Sequence, residues 1–291
     1  MLLELKNVRK YYPIKKPLFS IGHTYVKAVD DVSLSFKTGE NTSLVGESGC
    51  GKTTLARMIT KLVLPTAGEI FFDKANILKM SDASFRAVRK NIQMVFQDPY
   101  SSLDPRFKIR RILEEGFTLD AGKYKTDSDK ELRICELLKA VNLSGEVLNR
   151  FPHELSGGER QRIAIARAII LNPKMLILDE AVSSLDVLIQ KQILELLTGI
   201  QKRFDLTYLF ITHNLKVARK ISQNIAVMYK GKIVELAKSE DLFSSPMHSY
   251  TKELLSAATD YKPVKRGKDF VIEDAATLLD KGDGHFVLSE D

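Results

Sequence analysis

Short apolar runs separated by polar, glycine and proline turns dominate the first hundred residues, and the pattern predicts strands. Residues 2–11 and 26–36 read as two strands, joined by a loop from Pro13 to Tyr25 rich in Lys, Pro and aromatic residues. Residues 42–45 (Thr-Ser-Leu-Val) predict a buried strand, and residues 69–72 (Glu-Ile-Phe-Phe) another after the turn Pro65-Thr66-Ala67-Gly68. Residues 91–96 form a strand that stops at Gln97-Asp98-Pro99. From about 106 to 170 the period becomes helical, with Ile112, Leu113, Phe117 and then Leu132, Leu137, Leu138 and Val141 at helix spacing on either side of a polar loop, Asp120 to Asp129. Strands return at 175–178, 207–211 and 225–228, with a helix at 187–203 and a short strand, Ile233-Val234-Glu235, after the turn Lys230-Gly231-Lys232. The alternation predicts an α/β core interrupted by a helical insert. From about 256 the tail changes character, with a basic patch at Lys262–Lys268, then acidic residues and no long period.

Composition narrows the picture modestly. At 291 residues there is room for one large domain or two modest ones with a substantial core. No apolar run reaches the length of a bilayer span. The start, Met1 to Lys6, alternates like a strand and carries an early acid, unlike a signal peptide. Membrane association is therefore expected to be peripheral, through a partner. Cys50 and Cys135 lie far apart and in no C-x-x-C, so no zinc or iron–sulfur ligand set is expected, and a reduced, cytosolic protein is. The formal charge of +7 suits phosphate ligands or an anionic membrane surface. Because the cations are scattered rather than massed, nucleic acid is not expected as a partner.

The chemistry begins at Gly46-Glu47-Ser48-Gly49-Cys50-Gly51-Lys52-Thr53, which matches G-x-x-x-x-G-K-[ST] between a predicted strand and a helix over Thr53–Ile59. Glycines let backbone N–H groups converge on β- and γ-phosphates, Lys52 adds a point charge, and the Thr53 hydroxyl is placed to ligate Mg²⁺. In Met175-Leu176-Ile177-Leu178-Asp179-Glu180, a buried strand delivers Asp179 to its C-terminal end, where it can hold Mg²⁺ through water. Glu180 follows, suited to orient or deprotonate a water facing the γ-phosphate. Leu155-Ser156-Gly157-Gly158-Glu159 precedes a strong helix, Ile163 to Ile170, and predicts a second anion site, one that can serve a nucleotide held by a different subunit. Cys50, beside Lys52 at a helix N-terminus, is expected to be a reactive thiol of lowered pKa, the alternative being a small residue tolerated in the loop.

Gly46–Thr53, Gln97, Leu155–Glu159, Asp179-Glu180, Ser184-Leu185-Asp186 and His213 stand in the order and spacing of ABC-type ATPases, and residues 1 to about 255 resemble that family. The resemblance implies a P-loop NTPase (RecA-like) α/β core with an N-terminal antiparallel β-subdomain and an α-helical subdomain inserted at about 98–170. A cysteine-free extension would occupy 256–291. It also implies ATP and Mg²⁺ as ligands, with ATP on Gly46–Thr54 of one subunit meeting Ser156, Gly157, Gly158 and Glu159 of another packed head to tail. Glu180 would be the general base, His213 would contact the γ-phosphate, Gln97 would approach Mg²⁺ and the attacking water, and Asp186 would lie at the subunit interface. Glu159 stands where Gln is commonest, and Ala181 where Pro often follows the Glu. An aromatic near the N-terminus usually stacks on adenine: Tyr12 is favoured, with Tyr11, or a plain core tyrosine, as the alternative.

Gln97–Arg106 and Ser245–Leu255 look like the oligopeptide/dipeptide/nickel importer ATPases, with Ser249 where that subfamily has Pro. Gly284-His285-Phe286-Val287 is faintly similar to the end of that subfamily's C-terminal extension, without its cysteine. The resemblance implies a second, related ATPase subunit, two membrane-spanning permease subunits and an external solute-binding protein as partners, at the cytoplasmic face of the membrane. Peptide is the implied solute, with nickel chelates and oligosaccharides as alternatives. Two other classes compete: a soluble ABC protein acting on nucleic acid or ribosomes, and a non-catalytic partner in a heterodimer. The first usually shows duplicated units, zinc fingers or long coiled-coil inserts, none of which is visible. The second predicts a lost Lys or Glu, yet Lys52, Glu180 and His213 are present.

Overall fold

The structure is a computed structural model that describes residues 1–14, 24–120, 122–258 and 277–289. The chain divides into two compact units, one of Met1–Lys79 with Phe210–Asp291 and one of Met80–Leu209. Most of the Pro13–Tyr25 loop and the whole basic patch Lys262–Lys268 lie outside the described residues.

The first unit opens with β1 (Leu3–Ile14) and β2 (Thr24–Phe36), which pair antiparallel. The ladder runs further than the apolar pattern predicts, to Pro13 opposite Tyr25 and Ile14 opposite Thr24. Exposure explains the difference: this end of the ribbon is solvated, so no burial pattern marks it. Next come β3 (Asn41–Val45), α1 (Lys52–Ile59), β4 (Ala67–Phe72) and β5 (Ala75–Asn76). β1 also pairs antiparallel with β4, giving a four-stranded sheet in the order β2-β1-β4-β5. Every residue of β3 is buried, as a strand covered on both faces requires.

The second unit begins with a helix that the sequence pattern does not reveal, α2 (Asp82–Arg89), capped by the Ser81 hydroxyl accepting from the Ser84 N–H. β6 (Ile92–Val95) runs parallel to a later strand, with helices α3 (Pro99–Ser102), α4 (Ile109–Glu114), α5 (Asp127–Ala140) and α6 (Gly157–Ile169) between them. α6 starts six residues before the predicted Ile163, directly on the two glycines. α5 carries the buried Arg133, whose guanidinium donates to the carbonyls of Ile169 and Ile170 and to Asn172 Oδ1, closing the C-terminal end of α6. β7 (Met175–Asp179) is buried throughout and pairs with β6 from Ile92 opposite Met175 to Val95 opposite Leu178. α7 (Val187–Phe204) follows and ends at Asp205 in the left-handed conformation. The chain leaves this unit within β8 (Thr207–Thr212).

Back in the first unit, α8 (Leu215–Ile221) leads to β9 (Asn224–Tyr229), β10 (Lys232–Lys238), α9 (Ser239–Ser244) and α10 (Ser249–Ala258). The tail then contributes two strands, β11 (Leu278–Asp280) and β12 (Phe286–Leu288). Within this unit the strands lie in the order β11-β12-β10-β9-β3, with β3 parallel to β9 and the rest antiparallel. The end of the tail is thus part of the sheet, although it lacks a long sequence period; a three-residue strand is too short to show one. Val45, Leu215, Val227, Tyr229, Val234, Leu242, Tyr250 and Leu255 share one core with the tail's Leu288. No helix among the described residues is long and apolar enough to cross a membrane.

Candidate functional site: a glycine-rich loop and the strand-end carboxylates

Residues 46–51 carry the chain from β3 to α1 with Glu47, Ser48 and Gly49 exposed and Gly46, Cys50 and Lys52 buried. Two glycines are obligatory. A Cβ on Gly46 (φ 151°) would lie 2.1 Å from the Met228 carbonyl oxygen, and one on Gly51 (φ 114°) 2.0 Å from that of Ala28. Gly51 caps α1 without a side-chain hydrogen bond. Thr53 and Thr54 sit half-buried in that turn.

The Lys52 ammonium is 4% exposed and donates to the carbonyls of Gly46 and Glu47, each at 2.8 Å. It forms no ion pair among the described residues. A buried cation with only neutral partners, beside uncapped N–H donors and an open Gly49, fits a polyphosphate. The loop is braced from outside: the Gly231 N–H donates to the Cys50 carbonyl at 3.0 Å, and the Tyr250 phenol accepts from the Glu47 N–H at 3.1 Å.

Cys50 departs from expectation. Its thiol is 7% exposed, and burial pushes its pKa up, outweighing the nearby Lys52, whose Nζ lies 3.6 Å from Sγ. The sequence shows the cation but not the burial, so a reactive, acidic thiol is the wrong reading.

In the second unit, β7 ends at Asp179, 2% exposed. Glu180 follows at φ 47°, in the left-handed region that a non-glycine residue rarely adopts. Its Oε2 accepts from Gln97 Nε2 at 2.8 Å, so two residues 83 positions apart meet beyond the parallel ends of β6 and β7. Three or more His, Cys, Asp or Glu side chains do not cluster as a metal centre among the described residues.

Ser156 caps α6. Its hydroxyl accepts from the Glu159 N–H, while the Glu159 carboxylate accepts from the Ser156 N–H and hydroxyl, each at 2.8 Å. These bonds, the Ser156 N–H first, hold the Glu159 carboxyl below its ordinary pKa. Where Gln is commonest in the family, Glu159 thus fixes a carboxylate at the helix start. A Cβ on Gly158 would come within 3.0 Å of the Ile189 side chain. Asp186 caps α7, accepting from the Ile189 N–H at 2.9 Å, and leaves Val187 and Leu188 exposed beside it.

In the first unit, His213 is exposed between β8 and α8, where Asn214 supplies the cap of α8. Tyr11 and Tyr12 point to opposite sides of β1, as successive strand residues do. The Tyr11 hydroxyl donates to Asp30, whereas Tyr12 is exposed with Lys10 Nζ 5.0 Å from its ring centre. The loop, Tyr12 and His213 thus belong to one unit, and Gln97, Asp179, Glu180, Ser156–Glu159 and Asp186 to the other. The sequence reading missed the two braces. Gly231 was legible only as a turn, and Tyr250 only as part of the Ser245–Leu255 resemblance.

The chain is similar to known proteins. The model of the ABC transporter family matches residues 29–183. The oligopeptide transport ATP-binding protein AppF of Bacillus subtilis (strain 168) is 47% identical over 278 residues, 95% of this chain and 83% of its own length. The glutathione import ATP-binding protein GsiA of Pectobacterium atrosepticum is 42% identical over 93% of this chain, which spans only 43% of that longer protein. The ATP-binding cassette MJ0796, solved as a dimer in a post-hydrolysis state with ADP and Pi, superposes with a TM-score of 0.69 at 31% identity, over 81% of this chain and 98% of its own. By these matches the chain belongs to the ABC transporter family and is one of its ATP-hydrolysing cassettes.

Proposed function

We propose that this chain is the ATPase subunit of an importer for peptides. The observation that carries the reading is the likeness, across 95% of the chain, to a cassette named for oligopeptide transport. Its proposed partners are a second, related but non-identical ATPase, two membrane-spanning permeases and an external solute-binding protein. Its proposed place is the cytoplasmic face of the membrane.

Mg-ATP, when bound, supplies the phosphoanhydride bond whose hydrolysis drives the cycle. The roles proposed for the chain's own residues rest on the resemblance to the family and agree with their chemistry. Lys52 and the N–H groups of residues 48–53 neutralise phosphate charge, and Tyr12 offers a flat face to adenine. Thr53 and Asp179 would each offer an oxygen to the metal. Glu180, oriented by Gln97, takes the proton of the attacking water, and His213 supports the γ-phosphate. Ser156, Gly157 and Gly158 serve the nucleotide of the partner subunit, with Asp186 at that interface. Differential affinity of the closed pair for ATP then shifts the population toward closure, and hydrolysis releases it.

Reconstitution with the permeases and the cognate binding protein tests this reading. Peptide should stimulate ATP hydrolysis and accumulate in the vesicles. Stimulation by a nickel chelate or an oligosaccharide instead would keep the transporter and replace the solute. Co-purification with ribosomes and no membrane subunit would replace the reading altogether.

A further inference from the structure

The phosphate loop is tied to the C-terminal tail by a continuous series of hydrogen bonds inside the first unit. Glu235 on β10 is fully buried, and its carboxylate accepts from the Met247 N–H at 2.8 Å and the His248 N–H at 3.0 Å. The same carboxylate meets His285 Nε2, from the turn between β11 and β12, at 2.7 Å. His248 Nδ1 accepts from the Tyr250 N–H at 3.1 Å, fixing the first turn of α10. The Tyr250 ring lies 4.3 Å from that of Tyr229, and its hydroxyl reaches the Glu47 N–H. Tyr229 directly precedes the turn whose Gly231 holds the Cys50 carbonyl. The loop is therefore clasped at residues 47 and 50, on either side of the exposed Ser48 and Gly49.

We infer that Tyr250 is a positioning residue for nucleotide binding, and that the tail, through His285 and Glu235, sets Tyr250 in place. A phenylalanine would fill the same core volume, so packing alone does not call for the hydroxyl. The hydroxyl satisfies a backbone donor at the entry to the loop, leaving the N–H groups that follow to face phosphate. The tail strands would then be part of the nucleotide site's support. This inference rests on the ATP site proposed above.

The test is titration of a fluorescent ATP analogue onto the full-length chain, with ATP titrations of the assembled transporter. Tyr250→Phe should weaken binding about three- to tenfold, the size of one lost hydrogen bond. KM should rise with it while kcat stays within about twofold. His285→Ala should act in the same direction, and the double variant should be no weaker than Tyr250→Phe alone. Amide exchange separates positioning from general loosening: Glu47 should exchange faster in Tyr250→Phe while the β3 amides do not change. Unchanged binding in Tyr250→Phe, with Lys52→Ala impaired, would overturn the inference and leave the ATP site standing. Multiplying effects of the two substitutions, or uniform acceleration through β3, would also overturn it. Binding undiminished by Lys52→Ala would overturn both readings.

Discussion

Glu180 sits in a backbone conformation that costs a non-glycine residue roughly 1–3 kcal/mol. Strain of that size persists only where the surroundings hold it, and here it turns the carboxylate toward Gln97. Glu180→Gln should keep ATP binding and lower turnover by about two to four orders of magnitude, the range of a lost general base; near-normal hydrolysis would remove Glu180 from the role. Gln97→Ala should lower kcat more than it raises KM, because its partner is Glu180, the proposed base, rather than the nucleotide. Cys50 should alkylate more slowly at neutral pH than the exposed Cys135, a comparison that peptide mass spectrometry makes within one sample. The Cys50 outcome shows where reading residues one at a time stops. Charge next to a thiol is visible in Gly51-Lys52, but the burial that outweighs it depends on distant chain such as the turn at Gly231. Tyr11 and Tyr12 divide similarly: two adjacent aromatics are plain in the sequence, and only Asp30 decides which one turns inward.

Elements were legible where one property ran through the whole segment. The apolar β7 and the long α7 stand out as a continuous apolar run and a helical period, whereas β3, Asn-Thr-Ser-Leu-Val, is marked chiefly by the loop that follows it. α2 escaped because only Phe85 of its eight residues is buried, and β11 and β12 because three residues set no period. The start of α6 was partly legible, Ser and two glycines marking a cap, while the reciprocal bonds with Glu159 were not. Ser156→Ala should cost about 1 kcal/mol, read as a melting shift of about 2–4 °C. The depressed Glu159 pKa gives this cap a pH signature. Its contribution is present above the ordinary carboxylate pKa and is lost as pH falls through the lower, folded value. The stability gap between wild type and Glu159→Gln should therefore narrow toward acid pH in denaturant titrations.

At the scale of the molecule, the chain holds the loop that cradles a phosphate and a separate helix start, at Ser156, suited to another. If the second serves a neighbouring subunit's nucleotide, a dilute single chain should bind ATP yet hydrolyse it slowly. Specific activity should then rise with protein concentration or on adding the partner ATPase, and fast hydrolysis independent of concentration would refute that division. In such an encounter the Glu159 carboxylate would act as an electrostatic brake. A fixed negative charge at the helix start, accepting from the Ser156 hydroxyl, would oppose the approach of an incoming triphosphate even as it steadies the helix. Closure should accordingly be released by moderate salt, which screens like-charge repulsion over about 10 Å at 0.1 M. Ordinary ion-paired interfaces weaken as salt rises, so association that strengthens in wild type and loses that response in Glu159→Gln would mark this cassette as one that trades ease of closing for a firmly capped signature helix.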